Sequence, residues 1–381
     1  MNFFELFPKV INYRLARMGF VHPANPIVLT YSVTAACQSN CKTCNIGAMY
    51  KHEPLRKEKD LKLDEIERLF KSIGHIFFLN FSGGEPYLRR DLPQIVELAC
   101  KYLKPGIIHI PTNALMPERI KEATLEMLGI LKKYKMDIPL TVKPSIDGVG
   151  AGHDEIRGIA GNFDKLVKTI HLLKDVSKEH RNFHLELGTV ISNFNINNLT
   201  EIEDYVHSLG VESYRNEIAE RRAEFFNKED PITPDADTYE RLIRGFSRKV
   251  RENIHKKRSL ARTTEAFRLV YYELASRIMQ ENKQVIPCYA GISNVHINFD
   301  GEVWPCCVLG YDKPMGNLRE EDYVFEKIWR SERTKLVRKY IKDKNCACPL
   351  ANQTYSNILC DFRSMMKVFK NMLSFFYFQK R

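Results

Sequence analysis

No stretch of this chain is apolar for long enough to span a bilayer, which takes roughly 20 residues. Its first residues, Met1 to Val10, are interrupted by Glu5 and Lys9 and lack a signal-peptide cleavage pattern. These absences argue against a spanning or exported protein and lead to the expectation of an intracellular, cytoplasmic one. Ten cysteines in an intracellular chain suit metal ligation better than disulfides. Zinc-finger histidines are also missing. Structural zinc needs a fourth ligand, and no histidine follows the first three cysteines at zinc-finger spacing, with His52 or the distant Cys306 the candidates in principle. Basic charge, by contrast, is plentiful: 58 Lys and Arg against 47 Asp and Glu give a net charge of +11. That balance suits an acidic substrate, an anionic membrane surface or nucleic acid. Solvated Lys/Arg faces are common, so it does not by itself signal nucleic acid. With 381 residues, 44% of them hydrophobic, the chain can bury a large core in more than one domain.

The most informative motif is Cys37-x3-Cys41-x2-Cys44, directly after the apolar run Ile27 to Val33. A second signal, Ser82-Gly83-Gly84-Glu85-Pro86, follows another apolar run, Ile76 to Phe81. Three thiolates on one short loop can hold three irons of a cubane cluster and leave the fourth iron open. The two motifs together resemble those of the radical S-adenosylmethionine (radical SAM) superfamily. The resemblance implies a [4Fe–4S] cluster on Cys37, Cys41 and Cys44, with SAM chelated at the open iron. It places Ser82, Gly83, Gly84 and Glu85 along the SAM amino group.

Strand-like runs at residues 27–32, 76–81, 107–111, 139–145, 184–191 and 211–218 alternate with amphipathic helical patterns. Six such units imply a parallel sheet with right-handed crossovers. The expected fold is α/β: a partial (β/α)6 radical SAM barrel followed by a small α+β SPASM/twitch-like cluster domain. Site residues should then lie at the C-terminal ends of the strands. Asn113 stands where the family contacts ribose. Ser145 and Arg157 lie in stretches similar to its S-[LI]-D-G and H-D-x-x-R-G motifs, and Asn193 ends the fifth strand in a similar position. A guanidinium at Arg157 suits the SAM carboxylate. Asn and Asp also cap ordinary turns. Thr43 stands where relatives often carry an aromatic residue, so the adenine stacking contact is not carried over.

The expected organisation is an N-terminal amphipathic segment (1–26), the barrel (27–230), a basic helical insertion (231–284), the cluster domain (285–362) and a basic aromatic tail (363–381). Asn294 to Cys306 alternates apolar and polar residues around Asp300-Gly301, a hairpin signal. Cys288 before it, Gly301 at its turn and Cys306 at its end resemble the opening of the SPASM/twitch extension. A full SPASM domain carries enough cysteines for two auxiliary clusters, and this chain has fewer. One auxiliary [4Fe–4S] cluster is therefore expected on Cys288, Cys306 and Cys348, completed by Cys346 or Cys360. Adjacent strand residues face opposite ways, so Cys306 and Cys307 should not both join it. Cys100, alone on a helix, reads as a small core residue.

The resemblance implies reductive cleavage of SAM to a 5′-deoxyadenosyl radical and hydrogen abstraction from a substrate C–H bond. The auxiliary cluster would assist a net oxidation or bond formation. The expected class is a radical SAM oxidoreductase or C–H-functionalising enzyme acting on a small molecule, sugar, lipid or peptide. Its electron donor would be a flavodoxin or ferredoxin. A peptide-modifying maturase is the nearest alternative. A non-catalytic iron–sulfur or zinc protein that binds nucleic acid or membrane is the other. Both termini are basic, aromatic and amphipathic, a pattern of peripheral membrane contact as well as of helices docked on the protein body.

Overall fold

The computed structural model describes residues 3–211, 213–256 and 259–373. Residues 374–381 of the aromatic tail, and Lys257 and Arg258 of the basic run, lie outside the described residues. Six parallel strands form the body of the sheet: β1 (Val28–Ser32), β2 (Phe78–Ser82), β3 (Ile107–Thr112), β4 (Leu140–Pro144), β5 (Phe183–Ile191) and β6 (Ser213–Ile218). Each pairs with its predecessor, so every helical crossover returns the chain one strand further along. This is the partial α/β barrel expected from the six-unit rhythm.

Helices cover one face of the sheet, and the strands turn alternate apolar residues toward them, such as Leu29 and Tyr31 of β1, Leu79 and Phe81 of β2 and Ile108 and Ile110 of β3. The helix Leu63–Ile73 shows how. It buries Ile66, Leu69, Phe70 and Ile73, one stripe at 3.6-residue spacing. Phe70 meets Tyr31 of β1 edge to face at 6.1 Å between ring centroids. Each such burial is worth about 1.5–3 kcal/mol.

Three further strands, β7 (Asn294–Ile297), β8 (Glu302–Trp304) and β9 (Gly316–Asn317), extend the sheet beyond β1. β7 pairs parallel with β1 across Val28–Tyr31, and β8 returns antiparallel. Gly301 makes the hairpin turn at φ +86°, where a side chain is strained. The hairpin expected to open a separate domain is therefore hydrogen-bonded to the first strand of the barrel.

At the other edge, the helix Ser259–Glu281 packs against Ala236–Asn253. Its Arg268 donates from Nη1 to the Tyr214 carbonyl of β6 at 2.8 Å. The N-terminal helix Phe3–Met18 lies on a second apolar cluster of Val10, Tyr13, Ile27, Tyr289, Ile292 and Cys360. Cys100 is buried in the main core.

Candidate active site

The register of the first two strands brings the two motifs together. Ser32 is opposite Ser82, so the cysteine loop and the glycine pair leave the sheet side by side. Gly84 N donates to Thr34 O at 2.9 Å, and Glu85 N donates to Ala36 O at 2.8 Å. A Cβ on Gly84 would lie 2.0 Å from Ala36 O and 3.1 Å from Cys37 Cβ. Only glycine permits that approach. The far side of the loop is pinned to the helix Ala151–Arg157 by Asn40 N to Arg157 O at 3.1 Å and Lys42 N to Ile156 O at 2.8 Å.

Cys37, Cys41 and Cys44 are close enough to affect one another's ionisation. Burial is the largest effect and pushes all three thiols up, Cys37 to about 12. Arg157 acts in the opposite sense on Cys37 and Cys41. Only thiolates ligate metal, so a cationic cluster is the partner this donor set fits. Two buried polar atoms beside the loop, Gln38 Oε1 and Arg157 Nε, have no partner among the described residues. Arg157 is held by Asp147, Nη1 to Oδ2 at 3.0 Å, and Asp147 Oδ1 accepts from Val190 N at 2.8 Å.

Glu85 is fully enclosed. It accepts from Thr112 Oγ1 (2.8 Å), Asn113 N (2.7 Å) and Tyr87 N (3.2 Å). Burial raises its carboxyl to about 7. Asn113 donates from Nδ2 to Ser39 Oγ at 2.9 Å, linking the end of β3 to the cysteine loop. Ser145 follows β4 beside Gly188 of β5, and its N–H donates to Thr112 O at 3.0 Å. Cys37, Cys41, Cys44, Gly83, Gly84, Glu85, Asn113 and Arg157 thus converge on one end of the sheet, next to Ser82 and Ser145. Asn193 does not join them. Its side chain donates to Pro231 O and Thr233 O and holds the segment after β6. The buried Asn195 instead reaches the centre, donating to the carbonyls of Asp147 and Val190.

The inner face of the barrel carries charge that the strand reading did not anticipate. Lys143 pairs with Glu217 at 3.3 Å, Arg215 with Glu186 at 3.2 Å and Arg222 with Glu220 at 3.1 Å. His109 Nδ1 donates to Asn80 Oδ1 at 2.6 Å, and its Nε2 stands 3.7 Å from Glu186 Oε1. The alternation of Arg215 and Glu217 along β6 was the available signal.

The second cysteine group gathers around the hairpin. Cys288 and Cys346 both bear on the ionisation of Cys306, and Cys306 and Cys288 on that of Cys348. Burial is again the largest effect. Gln284 Nε2 donates to Cys346 O at 2.9 Å, and Arg17 Nε donates to Cys288 O at 3.0 Å. Cys360 lies apart in the second apolar cluster, with Arg14 and Asp361 as its charged neighbours. Cys307 lies beside Arg222 and Glu224, whose charges bear on its ionisation after burial.

Residues 31–207 match the family described as the Radical SAM superfamily, and residues 288–349 match the SPASM iron–sulfur cluster-binding domain. The chain is similar to the antilisterial bacteriocin subtilosin biosynthesis protein AlbA of Bacillus subtilis. The two are 22% identical over 342 residues, covering 86% of this chain and 66% of AlbA. It is also similar to the AdoMet-dependent heme synthase of Oleidesulfovibrio alaskensis, 24% identical over 331 residues, covering 80% of this chain and 74% of that protein. Among solved structures, Streptococcus suis SuiB bound to precursor peptide SuiA shares the fold. It superposes with a TM-score of 0.59 at 15% identity, covering 89% of this chain and 72% of SuiB.

Proposed function

The chain belongs to the radical SAM superfamily and carries a SPASM domain after its partial barrel, and from that premise we propose that it modifies a peptide by C–H functionalisation. It is a radical SAM enzyme whose cofactors are SAM, a [4Fe–4S] cluster and an auxiliary iron–sulfur cluster. When bound, the first cluster and SAM supply a 5′-deoxyadenosyl radical, which takes a hydrogen atom from substrate.

In this reading Cys37, Cys41 and Cys44 hold the SAM-binding cluster. Cys288, Cys306, Cys346 and Cys348 hold the auxiliary one. Arg157, anchored through Nη1 to Asp147, offers its unpartnered Nε to the SAM carboxylate. Both oxygens of Glu85 are engaged by Tyr87, Thr112 and Asn113, so it would tie the turn that follows Gly83 and Gly84 to the end of β3 beside bound SAM. Asn113 orients the ribose side, and Ser145 and the charged inner wall position and desolvate the reactants. The observation that carries the proposal is the convergence of the two cysteine groups on one sheet. Their supporting strands, β1 and β7, are hydrogen-bonded neighbours.

The peptide class is supported by the likeness to SuiB, solved with a precursor peptide, and to AlbA. A net charge of +11 suits an acidic one-electron donor such as flavodoxin or ferredoxin. The test is anaerobic reconstitution with dithionite and SAM, with 5′-deoxyadenosine as the readout. Its absence with a full iron complement would refute the enzyme reading. Deuterium transfer into 5′-deoxyadenosine from labelled small molecules, but from no labelled peptide, would refute the peptide class.

A further inference from the structure

Between the two cysteine groups lies a third set of donors that neither uses. Glu224 comes from the segment after β6, His296 from β7 and Cys307 from the turn after β8. One ligand atom from each lies within 4.8 Å of the other two. His296 Nε2 stands 3.6 Å from Glu224 Oε1, and both side chains are buried. Glu224 is distant in sequence from the β7–β8 hairpin that carries His296 and Cys307, so the grouping is not a local accident of one loop.

We propose that Glu224, His296 and Cys307 bind a divalent cation of the zinc class, with the fourth coordination position open to substrate. Thiolate, imidazole and carboxylate together are a borderline-soft donor set that favours zinc over magnesium or calcium. The charge balances: one carboxylate and one thiolate neutralise a divalent ion, while neighbouring Arg222 is already paired with Glu220 at 3.1 Å. Ser32 Oγ, 2.7 Å from His296 Nε2, is the hydrogen-bond partner the metal would displace. Trp304, 4.9 Å from the imidazole between ring centroids, fixes the ring plane.

The open position has somewhere to face. A polar cavity of about 40 Å³ is lined by Glu224, His296 and Cys307 together with Asn80, Ser82 and Arg222. Glu224 also lines a neighbouring cavity beside Gly83 and Gly84. The cation would therefore stand between the SAM-binding end and the auxiliary cysteines. There it would anchor an oxygen of the substrate, a carboxylate or an amide carbonyl, as a Lewis acid does. It would hold the substrate in place without entering the electron transfer.

The test uses the full chain, reconstituted anaerobically with iron and sulfide, desalted and titrated with zinc chloride alone. One zinc per chain is expected in addition to the full iron complement. Its X-ray absorption should show one sulfur and at least two nitrogen or oxygen ligands. Glu224→Gln, His296→Gln and Cys307→Ser should each weaken zinc binding at least about tenfold while leaving iron and sulfide content unchanged. A wild-type chain that takes up no zinc beyond its iron overturns the proposal. So does zinc in an all-sulfur environment, zinc that displaces iron, or zinc retained by all three variants. The wild-type spectrum alone decides the case should a variant fail to fold. A zinc result in either direction is independent of whether SAM is cleaved.

Discussion

Asp60 shows how a single side chain couples the site to pH. Its Oδ1 accepts from Ala35 N at 3.0 Å, so it braces the start of the cysteine loop. Burial pushes its carboxyl up to about 6, against the opposing pull of Thr34, the Ala35 N–H and Arg89. The folded chain therefore keeps a proton near pH 5 that the unfolded chain has already released. The stabilisation from that proton is complete below the ordinary aspartate range and is lost as pH rises through about 6. Asp60→Asn keeps an acceptor for Ala35 and removes the titration. Relative to this variant, the wild type should lose about 1 kcal/mol of stability between pH 5 and pH 7. Parallel anaerobic urea unfolding at the two pH values measures it, and equal pH slopes would show that Asp60 does not carry the effect. The cysteines and glycines at this scale were legible in the sequence because their chemistry is local. Asp147 and Asn195 were not singled out, because what distinguishes them is burial and long-range hydrogen bonding: to Arg157 and Val190 for Asp147, and to the carbonyls of Asp147 and Val190 for Asn195.

Among the secondary-structure elements, the six βα units were legible from hydrophobic period, since each buried strand and amphipathic helix carries its own pattern. The N-terminal helix was not resolved by pattern alone. Its amphipathic sequence fits a membrane surface or a protein surface equally. The structure docks it through Val10 and Tyr13, with Tyr13 Oη donating to Asn25 O at 2.6 Å. Phe7, Ile11, Leu15 and Met18 remain exposed on the other side. Two arginines on this helix tie it to the chain around the auxiliary site: Arg17 Nε donates to the carbonyl of the proposed ligand Cys288 at 3.0 Å, and Arg14 Nε to Cys360 O in the second apolar cluster at 2.6 Å. Charge-assisted bonds of this kind are worth about 1.5–3 kcal/mol each. The double substitution Arg14→Ala/Arg17→Ala should therefore loosen the auxiliary site and spare the first. Iron analysis after reconstitution should show loss of the auxiliary iron, with 5′-deoxyadenosine formation retained. Unchanged iron content would mean that the helix merely rests on the surface.

The molecule as a whole is one sheet, and this was the least legible feature. The sequence marks the hairpin at Asp300-Gly301 clearly, but nothing in a strand names its neighbour. Pairing depends on which edge the chain meets after the helices at 236–281. Here that edge is β1, so the strand that launches the cysteine loop has β2 on one side and β7 on the other. An expected boundary near residue 285 consequently falls between strands that share hydrogen bonds. A chain ending at residue 284 would expose the whole β1 edge, an invitation to intermolecular pairing. It would also uncover the apolar side chains of β1 and the face of the helix Leu63–Ile73, which packs against Phe325–Trp329. Such a chain should aggregate, or fail to retain iron on Cys37, Cys41 and Cys44, although it keeps every residue of the first motif. Size-exclusion chromatography and iron content after anaerobic reconstitution measure this. A soluble monomer with a complete first cluster would show that the barrel folds alone and that β7 joins an edge already stable without it.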